Sequence, residues 1–355
     1  MKFIHIADVH LGAKPDAGKA YSGTRPREIW ETFEHIISVC EEEQTDLLLI
    51  AGDLFHRQPL LRELKEADYL FSSLSHTKVV LIAGNHDYIR PDSHYRTFEW
   101  SDNVFPLFEK APQFAEFPEF QTAVYGLSYY SREETEPLYD RFDAQEEQPY
   151  EILLAHGGDE RHIPINWSRM EKSGFDYVAL GHIHKPQAVR KNRIVYAGAL
   201  EPIDRNDTGP HGYVSGEITD SGTAVRWIPC AQREYVHLEV PVDGNDTTGR
   251  IRDRIRTLSE DYGQQNMFRI TLTGKRDPDI EFDTRHMDEI GNILEITDLT
   301  SPAYDFEEIY RKNRENLIGR YMERFAGCTE GSMEYEAMCE GVEALLANQK
   351  SEVSG

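Results

Sequence analysis

Residues 3–12 read FIHIADVHLG, and this stretch decides how the first half of the chain is interpreted. It opens with an apolar run at residues 3–7, which is typical of a buried strand. Asp8 and His10 follow the run directly, before Gly12. Polar side chains in that position lie at the carboxyl edge of a sheet, where open α/β sheets place their sites. The stretch therefore predicts both a strand and part of a functional site.

The same arrangement recurs through residues 1–232. Six further short apolar runs predict strands at 47–51, 79–83, 123–127, 152–155, 177–180 and 194–197. Two stretches, 27–44 and 60–75, carry apolar residues at helical spacing. Because strands alternate with helices, we predict an α/β domain.

Four more motifs follow predicted strands, and they contain carboxylate, amide and imidazole groups. They are Gly52-Asp53, Gly84-Asn85-His86-Asp87, His156-Gly157-Gly158 and Gly181-His182-Ile183-His184. One such motif alone carries little information, but five in order, each after a strand, predict a single site. Seven further histidines are interpreted as surface or internally hydrogen-bonded residues: His5, His35, His76, His94, His211, His237 and His286.

This donor set predicts a pair of divalent metal ions. Neutral imidazoles with two carboxylates and one amide oxygen suit Mn²⁺, Fe²⁺ or Zn²⁺ better than Ca²⁺. Asp53 stands between the two halves of the set and is the expected bridging ligand. Two divalent ions with two carboxylates leave a net positive charge, which favours a phosphate substrate. His86, beside the ligand Asn85, is expected to face the substrate and to protonate the leaving oxygen or stabilise the transition state.

The five motifs together resemble those of the calcineurin-like metallophosphoesterases, over residues 1 to about 200. The resemblance implies a β-sandwich flanked by helices. It also implies that one metal is held by Asp8, His10, Asp53 and His184, and the other by Asp53, Asn85, His156 and His182. His86 is then the catalytic histidine.

Finer features are similar to the SbcD-type DNA repair nucleases. They are FIHIADVHLG at 3–12, GDLFH at 52–56, DYVALGHIH at 176–184 and YAGALEP at 196–202. This resemblance implies a nuclease domain (1–232), a small α+β DNA-capping domain (233–302) and a C-terminal helical segment (303–355). It further implies a homodimer, a role for His56 in positioning DNA, and an SbcC-like coiled-coil SMC-type ATPase bound through residues 303–347. The segment 205–211 (RNDTGPH) departs from the more acidic stretch expected there.

Residues beyond 232 carry weaker signals. Strands are predicted at 235–240, 267–273 and 293–299, with helices at 247–262 and 282–290. Apolar residues at three- and four-residue steps predict one helix from Phe306 to Phe325 and another around Val342. Arg250 and Arg254 share a helix face and form the best DNA-binding candidate of this region, but a solvated charged helix is the default interpretation.

Composition limits the possible partners and locations. The 355 residues include 38 Lys and Arg against 63 Asp and Glu, a formal net charge of −25, and acidic residues exceed basic ones in each predicted segment. This balance opposes tight autonomous DNA binding. No apolar run approaches the ~20 residues of a membrane helix. Four cysteines without a C-x-x-C pair predict a reducing cytoplasmic location.

Three functions remain open at this stage. The favoured one is a Mn²⁺-dependent DNA exonuclease and endonuclease of double-strand-break repair and recombination, a hydrolase that cuts phosphodiesters by a two-metal mechanism. The acidic charge favours an alternative, a phosphatase or phosphodiesterase of the same superfamily that acts on small molecules or proteins. The third is a non-catalytic scaffold with a vestigial site, against which the complete ligand set argues.

Overall fold

The computed structural model of this chain describes residues 1–329 and 331–353. Ser354 and Gly355, which end the predicted 303–355 segment, lie outside the described residues. Tertiary contacts divide the chain into two units. The first comprises Met1–Leu238, Arg256–Ile270 and Asp288–Ile296, and the second comprises Glu239–Ile255, Thr271–Met287 and Thr297–Gly355. Residues 233–302 supply segments to both units, and the predicted boundaries at 232 and 302 stay predictions.

All seven strands and both helices predicted before residue 232 are present, with small shifts at their ends. The elements of this part are β1 (Lys2–Ile6), α1 (Arg25–Glu42), β2 (Leu47–Ala51), α2 (Leu61–Ser72), β3 (Lys78–Ile82), β4 (Val104–Pro106), β5 (Gln113–Phe117), β6 (Thr122–Gly126), β7 (Tyr150–His156), α3 (Trp167–Met170), β8 (Tyr177–Gly181), β9 (Gln187–Arg190), β10 (Ile194–Tyr196), β11 (Gly212–Thr219) and β12 (Gly222–Pro229).

These strands form two six-stranded sheets. One has the order β12-β11-β1-β2-β3-β4, and the other has the order β5-β6-β7-β8-β10-β9. The central strands β1, β2 and β3 are parallel, as are β6, β7 and β8. Their carboxyl ends therefore meet at one edge of each sheet, which is where the motif residues follow.

The two sheets pack face to face, with helices on the outside. Leu47, Leu49 and Ala51 of β2 share one apolar cluster with Val124 and Leu154 of the opposite sheet. The alternate residues of β2 pack instead in a cluster with the apolar faces of α1 and α2. Because successive side chains of a strand point to opposite faces, a strand covered on both sides is apolar throughout, as the sequence LLLIA of β2 is. The predicted β-sandwich flanked by helices is confirmed.

The apolar pattern of the sequence does not predict several of the strands. The hairpin of β11 and β12 lies at the edge of the first sheet, and β12 alternates between exposed and partly buried residues. The short strands β4 and β5 lie in the stretch 88–121, which the sequence left unassigned. Each of these strands mixes apolar residues with polar, glycine or proline residues, so it lacks the continuous apolar run that marks the central strands.

The remaining elements agree in part with the predicted α+β module. They are β13 (Tyr235–Val242), α4 (Thr248–Asp261), β14 (Met267–Arg276), β15 (Ile293–Asp298), β16 (Ser301–Pro302), α5 (Phe306–Asn313), α6 (Leu317–Glu323) and α7 (Met333–Val353). The strands form one four-stranded sheet. The helix predicted at 282–290 is wrong, because only a short 3₁₀ turn forms at Thr284–His286. Asp283 and Asp288 accept hydrogen bonds from nearby backbone amides there, and such local bonds compete with an α-helix.

The single helix predicted from Phe306 to Phe325 is wrong, because it is two helices, α5 and α6. The Asn316 side chain accepts hydrogen bonds from the amides of Ile318 and Gly319 and so begins α6. The apolar residues of α6 and α7 form a common cluster of Ile318, Met322, Met338 and Val342. Among the described residues, no helix combines the length and apolar character needed to span a membrane.

Candidate metal centre

The five motifs converge at the carboxyl edges of the two sheets, within the first unit. Backbone hydrogen bonds join the first two loops, from the Asp8 amide to Gly52 O (3.2 Å) and from the His10 amide to Asp53 O (3.1 Å). The loops after β7 and β8 are joined by a bond from the Gly157 amide to Gly181 O (3.2 Å). Parallel strands thus bring together side chains that are far apart in sequence.

One group of donors consists of Asp8, His10 and His184. One ligand atom from each lies within 4.8 Å of the others. The Nε2 atoms of His10 and His184 are 3.1 Å apart, and His10 is fully buried. The Nδ1 atom of His10 has no hydrogen-bond partner. Two imidazole nitrogens that face each other beside a buried carboxylate match the donor set of a transition-metal ion.

A second group lies around Asn85. Its Oδ1 atom is 2.9 Å from His156 Nε2 and 3.1 Å from His182 Nδ1. His156 Nδ1 donates to Ala51 O (2.9 Å), which leaves Nε2 as the free nitrogen. Asp53 Oδ2 lies 3.3 Å from that nitrogen. This group therefore offers imidazole, amide and carboxylate donors around one point.

Asp53 lies between the two groups, as the sequence predicts. It clusters with Asp8 and His156, and its Oδ1 atom accepts a hydrogen bond from the His86 amide (2.8 Å). Burial would raise the pKa of Asp53, but the imidazoles of His156, His10 and His86 together outweigh burial and lower it. Burial raises the pKa of Asp8. Asp53 is thus the carboxylate best held in its charged form, as a bridging ligand requires.

Without a metal ion, the positive charges of two protonated imidazoles, His156 and His184, would offset the negative charges of these carboxylates. Burial disfavours the charged form of His156, but the Asp53 carboxylate outweighs it and raises the pKa to about 9. Burial also disfavours the charged form of His184, but the carboxylates of Asp207, Asp8 and Asp53 together outweigh burial and raise its pKa to about 9. Burial lowers the pKa of His10 well below its usual range, and that of His182 to about 4.

Backbone strain concentrates at the same residues. Asp8, His10, Asp53 and His182 all have positive φ, with values of 50°, 53°, 50° and 95°. Non-glycine residues rarely adopt this region, and it costs about 1–3 kcal/mol each where the surrounding structure enforces it. Such strain is typical of residues whose side chains are aimed at a ligand.

Glycines give the ligands their room at two positions. A Cβ atom on Gly52 would lie 2.4 Å from His156 Nδ1, and one on Gly84 would lie 2.2 Å from Asp53 Oδ1. Gly52 also has φ of +88°. Any larger residue would displace a donor, so these glycines are part of the site.

His86 and His56 lie against the first group without belonging to the predicted ligands. The ring centroid of His86 is 4.9 Å from that of His10 and 5.3 Å from that of His56. His86 Nδ1 donates to His56 O (3.1 Å), so its Nε2 atom is the one available for proton transfer. The structure thus brings together all seven predicted ligands with both predicted functional histidines.

Arg250 and Arg254 lie elsewhere, on α4 in the second unit. Both guanidinium NH groups of Arg254 bond to the Asp246 carboxylate (3.0 Å each), and Arg250 donates to Asn245 O (3.1 Å). These bonds give both arginines a structural role, and their contact with DNA stays a prediction.

The sequence motifs predicted no role for three carboxylates that lie at the site, Asp87, Asp159 and Asp207. Asp87 accepts from the amides of Gly84 (2.8 Å) and Phe55 (3.1 Å) and so ties two motif loops together. Asp159 bonds to His182, and Asp207 bonds to His184. Asp159 follows the Gly157-Gly158 pair directly, which was the one signal in the sequence that could have singled it out.

The chain is similar to several known proteins. Residues 1–186 match a family described as calcineurin-like phosphoesterase. A metallophosphoesterase of Bacillus subtilis, YhaO, is 29% identical over 62% of this chain and 58% of its own length. The DNA double-strand break repair protein Mre11 of Halobacterium salinarum is 25% identical over 78% of this chain and 71% of its own length. The Mre11 of Methanocaldococcus jannaschii is 28% identical over 58% of each chain.

The chain therefore spans about 58% of the length of two of these relatives and 71% of the third. Among solved structures, a dimetal phosphatase from Danio rerio is similar with a TM-score of 0.39 and 15% identity. That similarity covers 62% of this chain and 93% of the phosphatase.

Proposed function

This chain belongs to the calcineurin-like phosphoesterase family, and from that premise we propose that it is a metal-dependent DNA nuclease that acts in double-strand-break repair. The observation that carries the proposal is the convergence of seven metal-type donors and two further histidines on one point. The archaeal relatives named as double-strand break repair proteins support DNA as the substrate.

The residues present fit two divalent ions. Asp8, His10, Asp53 and His184 would hold one, and Asp53, Asn85, His156 and His182 would hold the other. Imidazole with carboxylate and amide oxygen suits Mn²⁺, which we propose as the working metal. When bound, such ions supply Lewis-acid stabilisation of a phosphoryl group and activation of water.

His86 is the proposed proton donor. Its Nδ1–H bond to the His56 carbonyl fixes the ring and leaves Nε2 towards the site. As water adds to phosphorus and the bond to the leaving oxygen breaks, that oxygen takes the Nε2 proton of the imidazolium form of His86, which is left neutral with its hydrogen on Nδ1, while the attacking water loses a proton to solvent. General acid catalysis of this kind contributes roughly 10²–10⁴-fold.

We propose that a local surface beside this centre holds the DNA, because the overall charge of the chain is negative and would repel it. A cavity of about 260 Å³ opens next to His56 and is lined by the cations Lys14 and Arg205, together with Asp16 and Asp204. We propose that His56 positions the DNA strand there. With a net charge of −25, the chain would need its metal ions and a partner to retain DNA at moderate salt.

The partner is proposed to be an SbcC-like SMC-type ATPase that binds residues 303–347. Much of the apolar face of α6 and α7 packs internally, but Leu317 and Met333 are 67% and 83% exposed.

We also propose a homodimer formed through α2, where Leu61 and Tyr69 are exposed. Light scattering that finds only monomer at micromolar concentration would contradict the dimer. A cytoplasmic location accords with the four cysteines, which form no disulfide in the described part of the chain.

End-labelled linear duplex DNA tests the proposal, with Mn²⁺, Mg²⁺ or EDTA, at low and moderate salt, for the wild type and His86→Ala. We expect Mn²⁺-dependent shortening that EDTA and the substitution abolish. The acidic charge favours a second candidate, a phosphodiesterase or phosphatase acting on small molecules or proteins. Intact hydrolysis of bis(p-nitrophenyl) phosphate, without cleavage of DNA even when the ATPase partner is added, would favour that candidate.

A further inference from the structure

Two acidic residues outside the predicted ligand set contact two of the imidazoles proposed as metal ligands. We propose that Asp159 and Asp207 are positioning residues that fix opposite tautomers on His182 and His184. His182 would then present Nδ1 to a divalent cation, and His184 would present Nε2. The inference rests on the proposed function only in taking His182 and His184 as ligands.

The first pair is His184 and Asp207. His184 Nδ1 lies 3.0 Å from Asp207 Oδ2, and the opposite ring nitrogen, Nε2, lies 3.1 Å from His10 Nε2. A metal-ligating imidazole is neutral, and an ionised carboxylate only accepts hydrogen bonds, so in that form the hydrogen of His184 lies on Nδ1. The lone pair is therefore on Nε2, which faces the first donor group.

The second pair has the reverse arrangement. His182 Nε2 lies 2.7 Å from Asp159 Oδ2, and Nδ1 lies 3.1 Å from Asn85 Oδ1. The hydrogen of His182 is therefore on Nε2, and its lone pair is on Nδ1, which faces the second donor group. Two imidazoles only two residues apart thus direct different ring atoms to different groups.

Both carboxylates are held in place by backbone amides before they meet their imidazole. Asp207 Oδ2 accepts from the amides of Ile203 (3.1 Å) and Asp204 (3.0 Å). Asp159 Oδ1 accepts from the amides of Arg161 (2.8 Å) and His162 (3.0 Å). The loops that contain Asp207 and Asp159 therefore share one arrangement. In each, backbone amides orient the carboxylate, and the carboxylate orients a histidine ring.

His162 completes the arrangement on one side. Its Nδ1 atom lies 2.9 Å from both oxygens of Asp159, and its ring centroid is 4.4 Å from that of His182. His162 therefore packs against the ring of His182 and shares its carboxylate. Outer partners of this kind orient ligating histidines and raise their basicity, and their loss costs about 10- to 100-fold in metal affinity.

The tautomers can be read directly with Zn²⁺ as a diamagnetic probe. In protein labelled with ¹⁵N-histidine and loaded with Zn²⁺, long-range ¹H–¹⁵N spectra identify which nitrogen of each ring carries hydrogen. We expect Nε2–H for His182 and Nδ1–H for His184, assigned by the signals that change in Asp159→Asn and Asp207→Asn. Coordination of both rings through the same type of nitrogen would overturn the inference.

Calorimetric titration with Mn²⁺ provides the second readout. Asp159→Asn and Asp207→Asn should each weaken binding at one site by about 10- to 100-fold, because an amide can also donate and so admits the wrong tautomer. The matched control is Glu160→Gln, an exposed acid next to Asp159, which should bind Mn²⁺ as the wild type does.

The two proposals fail differently. Equal Mn²⁺ affinity in the wild type and both aspartate variants would overturn the positioning role while leaving the nuclease proposal intact. Wild-type protein that shows the expected tautomers and two Mn²⁺ sites, but cuts no DNA with or without its ATPase partner, would overturn the nuclease proposal and support the positioning role. Thermal unfolding of the metal-free variants checks that both remain folded.

Discussion

His10 and His184 face each other through their Nε2 atoms at 3.1 Å, although 174 positions separate them in the chain. The contact brings together the first motif and the last. In the same cluster, Asp8 supplies a buried carboxylate. Such a convergence of buried donors costs free energy unless a cation or protons compensate it, which makes metal binding a source of stability.

Metal should therefore stabilise the fold measurably. We expect Mn²⁺ to raise the thermal unfolding midpoint of the first unit, since at 100 times its Kd each bound ion contributes about 2.7 kcal/mol. Asp53→Asn should lose most of this effect because it removes the shared ligand. Scanning calorimetry with Mn²⁺ and with EDTA measures it. An equal midpoint in both conditions for the wild type would contradict the ligand assignment.

His86→Ala should separate chemistry from metal binding. We expect kcat on DNA to fall roughly 10²–10⁴-fold, because the leaving oxygen loses its proton donor. Mn²⁺ stoichiometry should not change, since His86 is not among the proposed ligands. His35→Ala, an exposed histidine of α1, is the matched control. A variant that cuts DNA at the wild-type rate would exclude His86 as the acid.

His56→Ala should affect duplex DNA more than a small substrate. His56 lies beside the cavity lined by Lys14 and Arg205, where a strand would be held. The rate of digestion from duplex ends should fall more steeply than the rate with bis(p-nitrophenyl) phosphate. The two rates are measured side by side, with exposed His94→Ala as the control. Equal losses on both substrates would point to a role in chemistry instead.

Gly52→Ala should damage the metal centre, whereas Gly18→Ala should not. Both glycines have positive φ, +88° and +96°, so both substitutions carry a backbone cost of about 1–2 kcal/mol. Only at Gly52 would the new Cβ collide with His156, at 2.4 Å from Nδ1. We expect loss of Mn²⁺ affinity for Gly52→Ala alone, by titration. Similar affinity in both variants would mean that His156 is not held where the structure has it.

Substitution of Arg25 should show how much a buried ion-pair network stabilises the β-sandwich. Its fully buried guanidinium bonds to Glu28 (2.7 Å) and Glu201 (3.0 Å). Arg25→Met would leave the buried Glu201 without its cation, which should cost about 3–5 kcal/mol of unfolding free energy in urea denaturation. Arg27→Met, on the same helix but 83% exposed, should cost less than about 1 kcal/mol. Equal effects would contradict the burial of Arg25.

The central strands and the convergence of the five motifs at the sheet edges could be predicted because both depend on local sequence. Strand β2 is buried on both faces and hence apolar throughout, and each motif follows its strand within a few residues. Asp53 lies two residues beyond the end of β2, so its position at the sheet edge needs no tertiary knowledge. The same reasoning located His56 and His86.

The roles of Asp159 and Asp207 could not be predicted in this way. Each carboxylate meets its histidine across 23 positions, through loops whose path depends on the finished fold. The departure noted at 205–211 did mark the loop that contains Asp207, but its meaning needed the His184 contact. The break between α5 and α6 was missed because apolar spacing continues across it, while a polar side chain, Asn316, begins the new helix.

The central claim is tested most directly by a crystal structure with Mn²⁺ and an anomalous difference map from data collected at the manganese edge. The account predicts two peaks in the first unit. One should lie among Asp8, His10, Asp53 and His184, and the other among Asp53, Asn85, His156 and His182, with Asp53 contacting both. No peak, or a single peak that Asp53 does not contact, would contradict a two-metal phosphoesterase centre.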